Sequence, residues 1–300
     1  MTEILLSVFF ISVLLLFLST GVWVALSMIG VSTIAMTLFT SRPVGDAMAT
    51  TIWGTSSSWT LTALPLFVWM GEILFRTKLS ENLFEGLSPW MQKLPGGLIH
   101  VNVVGCALFA AISGSSAATV ATVGKMSIPE LRKRNYPEKI LLGSLAGSGT
   151  LGLLIPPSII LIIYGVAVQE SIAKLFIAGI IPGIMIALIF MSYVVIWSLI
   201  NKKDMPNIIE NHSFLEKIKK SRQLLPVIFL ISAVIGSIYT GIATATEAAS
   251  LGVVGALILS YFQKSLTLET FKSSLLGATK TSCMIAFILA GSTFLSLAMG

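Results

Sequence analysis

Charge is scarce in this chain. Only 11% of its 300 residues are Asp, Glu, Lys or Arg, against about 25% in ordinary globular domains. Too few polar atoms remain to cover a soluble surface of this size, so a soluble domain is excluded. Cysteine is nearly absent. Cys106 and Cys283 both stand inside apolar runs, which argues against a disulfide framework and against a metal cluster. Histidine is as rare: His100 falls at a span end and His212 in the most polar connection, so neither is placed as a ligand. No His-Glu-x-x-His, Walker loop or nucleophile elbow occurs. The chain is therefore not read as an enzyme, and any transport it performs must draw on an ion gradient or on another subunit.

Apolar residues fill the space that charge leaves. They make up 55% of the chain, mean hydropathy is +0.93, and they come in blocks long enough to span about 30 Å of hydrocarbon. These features predict an all-α polytopic membrane protein. Candidate spans are 4–19, 22–39, 61–75, 140–168, 179–200, 224–240, 245–262 and 282–299, with amphipathic pieces at 46–59, 79–92 and 268–279. Residues 1–17 lack the basic n-region and cleavage site of a signal peptide and read as the first span. The pair 4–19 and 22–39 would make one helix about 54 Å long, too long for a single crossing. Trp23, Trp53, Trp59, Trp69, Trp90 and Trp197 fall mostly near span ends, as an interfacial belt would. The one clearly solvated connection, 201–223, carries Lys202, Lys203, Lys217, Lys219, Lys220 and Arg222 and divides the chain into halves.

The placement of the basic residues decides how the apolar block 97–124 is read. As a re-entrant hairpin it leaves seventeen of the 19 Lys and Arg on one side, with Arg42 and Lys174 opposite; as a full crossing it splits them fifteen to four. The asymmetry favours the hairpin, with the basic side cytoplasmic and the N-terminus outside. Each arm of about a dozen residues reaches about 18 Å, near the bilayer midplane. The net charge of +6 is then an orientation signal, and no nucleic-acid partner is expected.

Two breaks follow. The hairpin tip is Ser113-Gly114-Ser115-Ser116, and backbone at membrane depth is tolerated only in protein or beside a wet cavity. The alternative is a helix whose serines bond to their own carbonyls. In 140–168, Pro156-Pro157 unwinds the helix around residues 154–158. One reading is a plain proline kink with glycines for packing. The other is a discontinuous helix at an ion and substrate site, and two midplane breaks in successive segments favour it. Thr20-Gly21-Val22 and Thr240-Gly241-Ile242 hint at an inverted repeat, because the two span pairs run in opposite senses. Thr246 and Glu247 lie just inside a span. Glu247 either marks a pathway or closes a capping box on Thr244. Glu72 and Arg76, four apart, suit an ion pair.

Leu94-Pro95-Gly96-Gly97-Leu98, Phe109-Ala110-Ala111-Ile112-Ser113-Gly114-Ser115-Ser116, Ser127-Ile128-Pro129-Glu130, Gly152 to Ser158 and Thr246-Glu247-Ala248-Ala249 together resemble the large membrane subunit, the DctM-like permease, of tripartite ATP-independent periplasmic (TRAP) transporters. The resemblance covers the whole chain. It implies an elevator-type fold of inverted repeats, with a re-entrant hairpin and a broken helix. It implies a sodium-coupled importer of organic acid anions such as C4-dicarboxylates or sialic acid, in the bacterial inner membrane. It also implies a small DctQ-like membrane subunit and a DctP-like periplasmic receptor as partners, no cofactor, and Na+ as coupling ion.

Carried onto these residues, the resemblance assigns Ser113, Gly114, Ser115, Ser116, Gly149, Leu153, Ile155 and Pro156 to a sodium site. Ser115, Ser116, Ala117, Pro157 and Ser158 face the substrate, with half-helix N-termini near Ala117 and Ser158 turned toward an anion. The division expected is 1–96 scaffold and arm, 97–178 transport half (hairpin 97–124, broken helix 140–168), 179–223 connection, and 224–300 scaffold of the second repeat. Members of the family continue into a second hairpin and a second broken helix, so the second repeat is expected to be incomplete here. Ala245 stands where a proline is usual. Two other readings remain: a receptor-independent anion/sodium symporter, and a truncated scaffold that does not transport.

Overall fold

The computed structural model describes residues 2–76, 79–206, 213–222 and 224–299. Lys78, His212 and Gln223 lie outside them. Every regular element among the described residues is helical. Three helices are long and apolar enough to cross a bilayer by themselves, and several shorter ones are apolar. The chain is a multi-pass membrane protein. It divides into two compact units, Met1–Leu61 with Lys280–Gly300, and Thr62–Thr279.

The first unit holds α1 (Thr2–Ser19), α2 (Val24–Phe39), α3 (Val44–Ser56) and the C-terminal part of α14 (Leu268–Met299). α1 stops because Gly21 takes φ +80°, a left-handed conformation that glycine adopts without a Cβ penalty. The expected pair of helices therefore forms. Phe10, Val31 and Ala35 make a buried core, with Val13, Leu14, Phe17, Leu295 and Ala298 packed on it. Phe10 meets Phe39 edge-on, ring centroids 5.7 Å apart. Hydroxyls on these apolar helices turn back on their own turns, Ser32 Oγ donating to the Met28 carbonyl at 2.7 Å, which satisfies them within the helix. Between helices, Thr55 Oγ1 donates to Thr293 Oγ1 at 3.2 Å.

The second unit runs through α4 (Ala63–Phe75), α5 (Leu79–Met91), α6 (Ile99–Ser113), α7 (Ser116–Lys133), α8 (Glu138–Gly149), α9 (Ile159–Val168), α10 (Ile172–Ile200), α11 (Phe214–Ser221), α12 (Leu225–Tyr239), α13 (Ala245–Phe262) and the start of α14. α4 packs broadly on α13. Trp69 on α4 donates from Nε1 to Ser274 Oγ on α14 at 3.3 Å and meets Phe271 edge-on. The expected Glu72–Arg76 pair forms at 3.0 Å. Below the hairpin, Tyr136 in the α7–α8 connection accepts the Leu98 N–H at 3.1 Å. Burial pushes its phenol pKa up, opposed by that hydrogen bond and the Arg134 charge.

Three boundaries differ from the sequence expectation. The second hairpin arm does not end at Gly124 but runs to Lys133, where the polar turn is supported by an Arg134–Glu130 pair at 2.9 Å. α10 begins at Ile172, seven residues before the expected span, because Ser171 caps it by accepting from the Lys174 N–H at 3.5 Å. The amphipathic piece and the span expected at 268–279 and 282–299 are one 32-residue helix. Nothing from 279 to 282 breaks a helix, and Thr279 bonds its own Leu275 carbonyl at 2.8 Å.

Candidate functional site

The hairpin tip is a two-residue reversal. Gly114 ends α6 at φ +57°, ψ +8°, and its N–H reaches the Ala110 carbonyl at 2.9 Å, an αL cap that suits glycine. Ser115 is extended and caps α7, its Oγ accepting from the Ala118 N–H at 3.5 Å. Ser113 Oγ braces the turn from inside, accepting from the Ser115 N–H at 3.3 Å and lying 2.9 Å from Thr119 Oγ1.

The second break is equally local in origin. α8 stops at Gly149, a 3-10 turn covers Thr150–Leu153, and a cis bond joins Pro156 and Pro157. Ser158 is extended at the start of α9. Its Oγ does not cap that helix but donates back to the Leu153 carbonyl at 2.8 Å, closing the loop on itself.

The two breaks meet. The Ile159 N–H, an orphan donor at the first turn of α9, reaches the Gly114 carbonyl at 3.3 Å. A Cβ on Gly114 would lie 2.8 Å from the Pro157 carbonyl oxygen, and one on Gly152 would lie 2.9 Å from the Ser116 nitrogen. Gly149 faces Val120 and Ser116. Neighbouring helices approach through glycine too: a Cβ on Gly71 of α4 would lie 3.0 Å from the Ile112 carbonyl oxygen, and one on Gly179 of α10 2.7 Å from that of Leu154. Gly183 of α10 packs on Ile155. Backbone against backbone on several sides is how irregular segments stay covered at membrane depth.

Of the residues singled out in the sequence, Ser113, Gly114, Ser115, Ser116, Gly149, Pro157 and Ser158 come together, with Pro156 buried beside them. Leu153 takes part through its carbonyl while its side chain is exposed, and Ala117 is exposed at the start of α7. Thr246 and Glu247 sit elsewhere, at the start of α13. There Glu247 Oε2 accepts from the Thr244 N–H and the Thr244 hydroxyl, each at 2.8 Å, and the capping box is complete.

Ser116 Oγ is buried and has no hydrogen-bond partner among the described residues. A buried hydroxyl without a partner costs about 1–3 kcal/mol, so this atom is suited to a ligand. The polar groups of the two breaks are neutral: the hydroxyls of Ser113, Ser115, Ser116 and Ser158 and the carbonyls of Gly114 and Leu153. No cluster of three or more His, Cys, Asp or Glu able to hold a metal ion occurs among the described residues. The donor set fits a hard monovalent cation better than a transition metal.

Sequence reasoning missed a polar seam behind the tip. Asn102 on α6 is fully buried and donates from Nδ2 to Ser144 Oγ at 3.0 Å and to the Leu141 carbonyl at 3.2 Å, both on α8. Ser148 Oγ donates to the Ser144 carbonyl at 2.5 Å. An amide in an apolar arm was the available signal, since it must find partners there. His100, two residues earlier, is also buried, with Nε2 2.7 Å from the Pro95 carbonyl.

Comparison with known proteins identifies relatives of the chain. The C4-dicarboxylate TRAP transporter large permease protein DctM of Pseudomonas aeruginosa is 35% identical over 245 residues, 81% of this chain and 57% of the relative. The isethionate TRAP transporter permease protein DctMQ of Oleidesulfovibrio alaskensis is 31% identical over 282 residues, 93% of this chain and 44% of the relative. The sialic acid TRAP transporter large permease protein SiaM of Vibrio cholerae is 32% identical over 279 residues, 92% of this chain and 64% of the relative. The chain thus spans less than two thirds of each relative's length. Residues 11–300 match the family described as tripartite ATP-independent periplasmic transporter, DctM component. With its paired breaks and these relatives, the chain belongs to that family of membrane transport proteins, the DctM large permeases of TRAP transporters.

Proposed function

We propose that the chain serves as the permease subunit of a sodium-coupled secondary importer of organic acid anions, C4-dicarboxylate or sialic-acid-like. A DctP-like periplasmic receptor feeds it and a small DctQ-like membrane subunit assembles with it, in a bacterial inner membrane with the N-terminus periplasmic. The observation that carries this reading is the junction of the two breaks, where Ile159 N–H and Gly114 carbonyl meet at 3.3 Å beside the unpartnered Ser116 hydroxyl.

Sodium suits such a junction because unwound backbone supplies carbonyls without burying a net charge. Ser113, Gly114, Ser115, Ser116, Gly149, Leu153, Ile155 and Pro156 form its side of the ion cage. Ala117, Pro157 and Ser158 face the substrate, where the N-termini of α7 and α9 favour a carboxylate. The substrates named for the relatives, C4-dicarboxylate, isethionate and sialic acid, are all anions at neutral pH. Transport then moves the hairpin-bearing part against a scaffold, in the manner of an elevator.

Uptake into proteoliposomes holding the permease, its small subunit and its receptor tests the reading. Accumulation is expected to need a sodium gradient and to fall sharply in the Ser115→Ala, Ser116→Ala double variant. Uptake indifferent to sodium and to both substitutions contradicts it. Uptake that persists without receptor moves the chain to a receptor-independent symporter.

A further inference from the structure

α11 lies in the connection between two apolar helices, α10 and α12. Its sequence is too polar to cross a membrane, yet its apolar side chains are not hidden. Phe214 is 66% exposed, Leu215 77% and Ile218 48%. Lys217, Lys219, Lys220 and Arg222 accompany them, and none of the four makes an ion pair among the described residues. Glu216 is folded back as a cap, accepting from the Ser213 N–H at 3.0 Å. Exposed apolar side chains beside cations make an amphipathic surface suited to a membrane interface.

One face of α11 is already held by α5. Trp90 Nε1 donates to Ser221 Oγ at 2.7 Å, and Ser221 Oγ donates to the Gly86 carbonyl at 3.2 Å. The Trp90 ring meets Phe214 edge-on at 6.3 Å, with Lys217 Nζ 5.4 Å from its centroid. Phe214, Lys217 and Ser221 therefore face α5. Helical spacing puts Leu215, Ile218, Lys219 and Arg222 together on the adjoining face, which turns outward. Apolar exposure continues on both sides, at Ile200 closing α10 and Leu225 opening α12, the two apolar helices that α11 connects.

We propose that α11, pinned by Trp90, is an interfacial anchor that binds anionic phospholipid headgroups. Leu215 and Ile218 enter the boundary between headgroups and acyl chains, Lys219 and Arg222 on the same face hold the phosphates, and Lys217 and Lys220 add positive charge beside them. Charge complementarity selects the occupant: four cations next to apolar side chains at a membrane surface match an anionic lipid rather than a zwitterionic one. Because α11 grips α5, and α5 leads into the hairpin arm α6, the lipid would set the level of that arm in the membrane. The inference rests on membrane embedding alone and is independent of sodium coupling.

A nitroxide on Leu215→Cys, in a Cys283→Ser background that removes the exposed thiol, reads the environment directly. The full chain is placed in nanodiscs of phosphatidylcholine, with or without phosphatidylglycerol. Accessibility to oxygen is expected to exceed accessibility to a water-soluble nickel chelate, and the excess to grow with phosphatidylglycerol. The Lys217→Gln, Lys219→Gln, Lys220→Gln, Arg222→Gln variant should lose that growth. Lys219→Gln with Lys220→Gln, which leaves the Trp90 contacts intact, should lose part of it, and replacement of the three lysines by arginine should keep it. Inorganic phosphate at matched ionic strength should not compete; if it does, the site takes free phosphate and the lipid proposal falls. A label open to nickel in both mixtures, a lipid response that survives neutralisation, or a label shielded from both probes by protein packing would each overturn it.

Discussion

The backbone N–H of Ile159 donates to the carbonyl oxygen of Gly114 at 3.3 Å. One is the first donor of a half-helix after a double proline; the other belongs to the left-handed residue of a hairpin tip. Neither has an intrahelical partner to turn to. The bond ties two breaks, distant in sequence, into one polar junction.

Gly114→Ala attacks this junction directly. The φ of +57° costs a non-glycine residue about 1–2 kcal/mol, and the added Cβ would press on the Pro157 carbonyl at 2.8 Å, which is backbone and cannot rotate away. The thermal midpoint in detergent should fall clearly. Gly152→Ala should fall as well, because its Cβ would meet the Ser116 nitrogen at 2.9 Å. Gly143→Ala on α8 meets nothing within 4 Å, and helix propensity favours it by up to about 1 kcal/mol, so its midpoint should match or exceed that of the unsubstituted chain. Equal effects at all three positions would remove the junction from the account.

Asn102→Ala should destabilise by removing the side-chain bonds that join α6 to α8. It removes two buried hydrogen bonds, to the Leu141 carbonyl and Ser144 Oγ, each worth about 1 kcal/mol, while Ser144 Oγ keeps its own bond to the Leu141 carbonyl. The hairpin should then loosen from α8, visible as faster amide hydrogen exchange in 138–149 than in 245–262. Unchanged exchange in both would show that the seam holds nothing.

Glu247 separates a structural role from a transport role. Glutamine can close the same capping box on Thr244, so Glu247→Gln should keep both thermal stability and uptake in the assembled transporter. Glu247→Ala opens the box and should lower stability. Loss of uptake in the glutamine variant at normal stability would mean that the charge itself is used.

Both breaks were legible because their causes are local. Pro156-Pro157 cannot continue a helix, and Ser113-Gly114-Ser115-Ser116 supplies a left-handed glycine and a serine cap within four residues. What lies between them was not legible. That Gly152 seats on Ser116, or that Gly71 lets Ile112 come close, depends on segments brought together by packing. Two boundaries slipped because polarity was read as a helix end. Residues 125–133 and 279–282 are polar, but backbone ladders do not require apolar side chains. Ion pairs and hydroxyl back-bonds keep α7 and α14 running through them.

The most direct test places a thiol beside the junction without touching a proposed ligand oxygen. Ala117→Cys, exposed in the first turn of α7, is labelled with a maleimide in lipid vesicles, in a Cys283→Ser background, in sodium and in potassium at equal ionic strength. Sodium bound by the tip and the break should slow labelling at residue 117, with half-protection at a saturable sodium concentration, and Ser116→Ala should abolish the difference. Identical rates in the two salts would contradict a sodium site between Gly114 and Ile159.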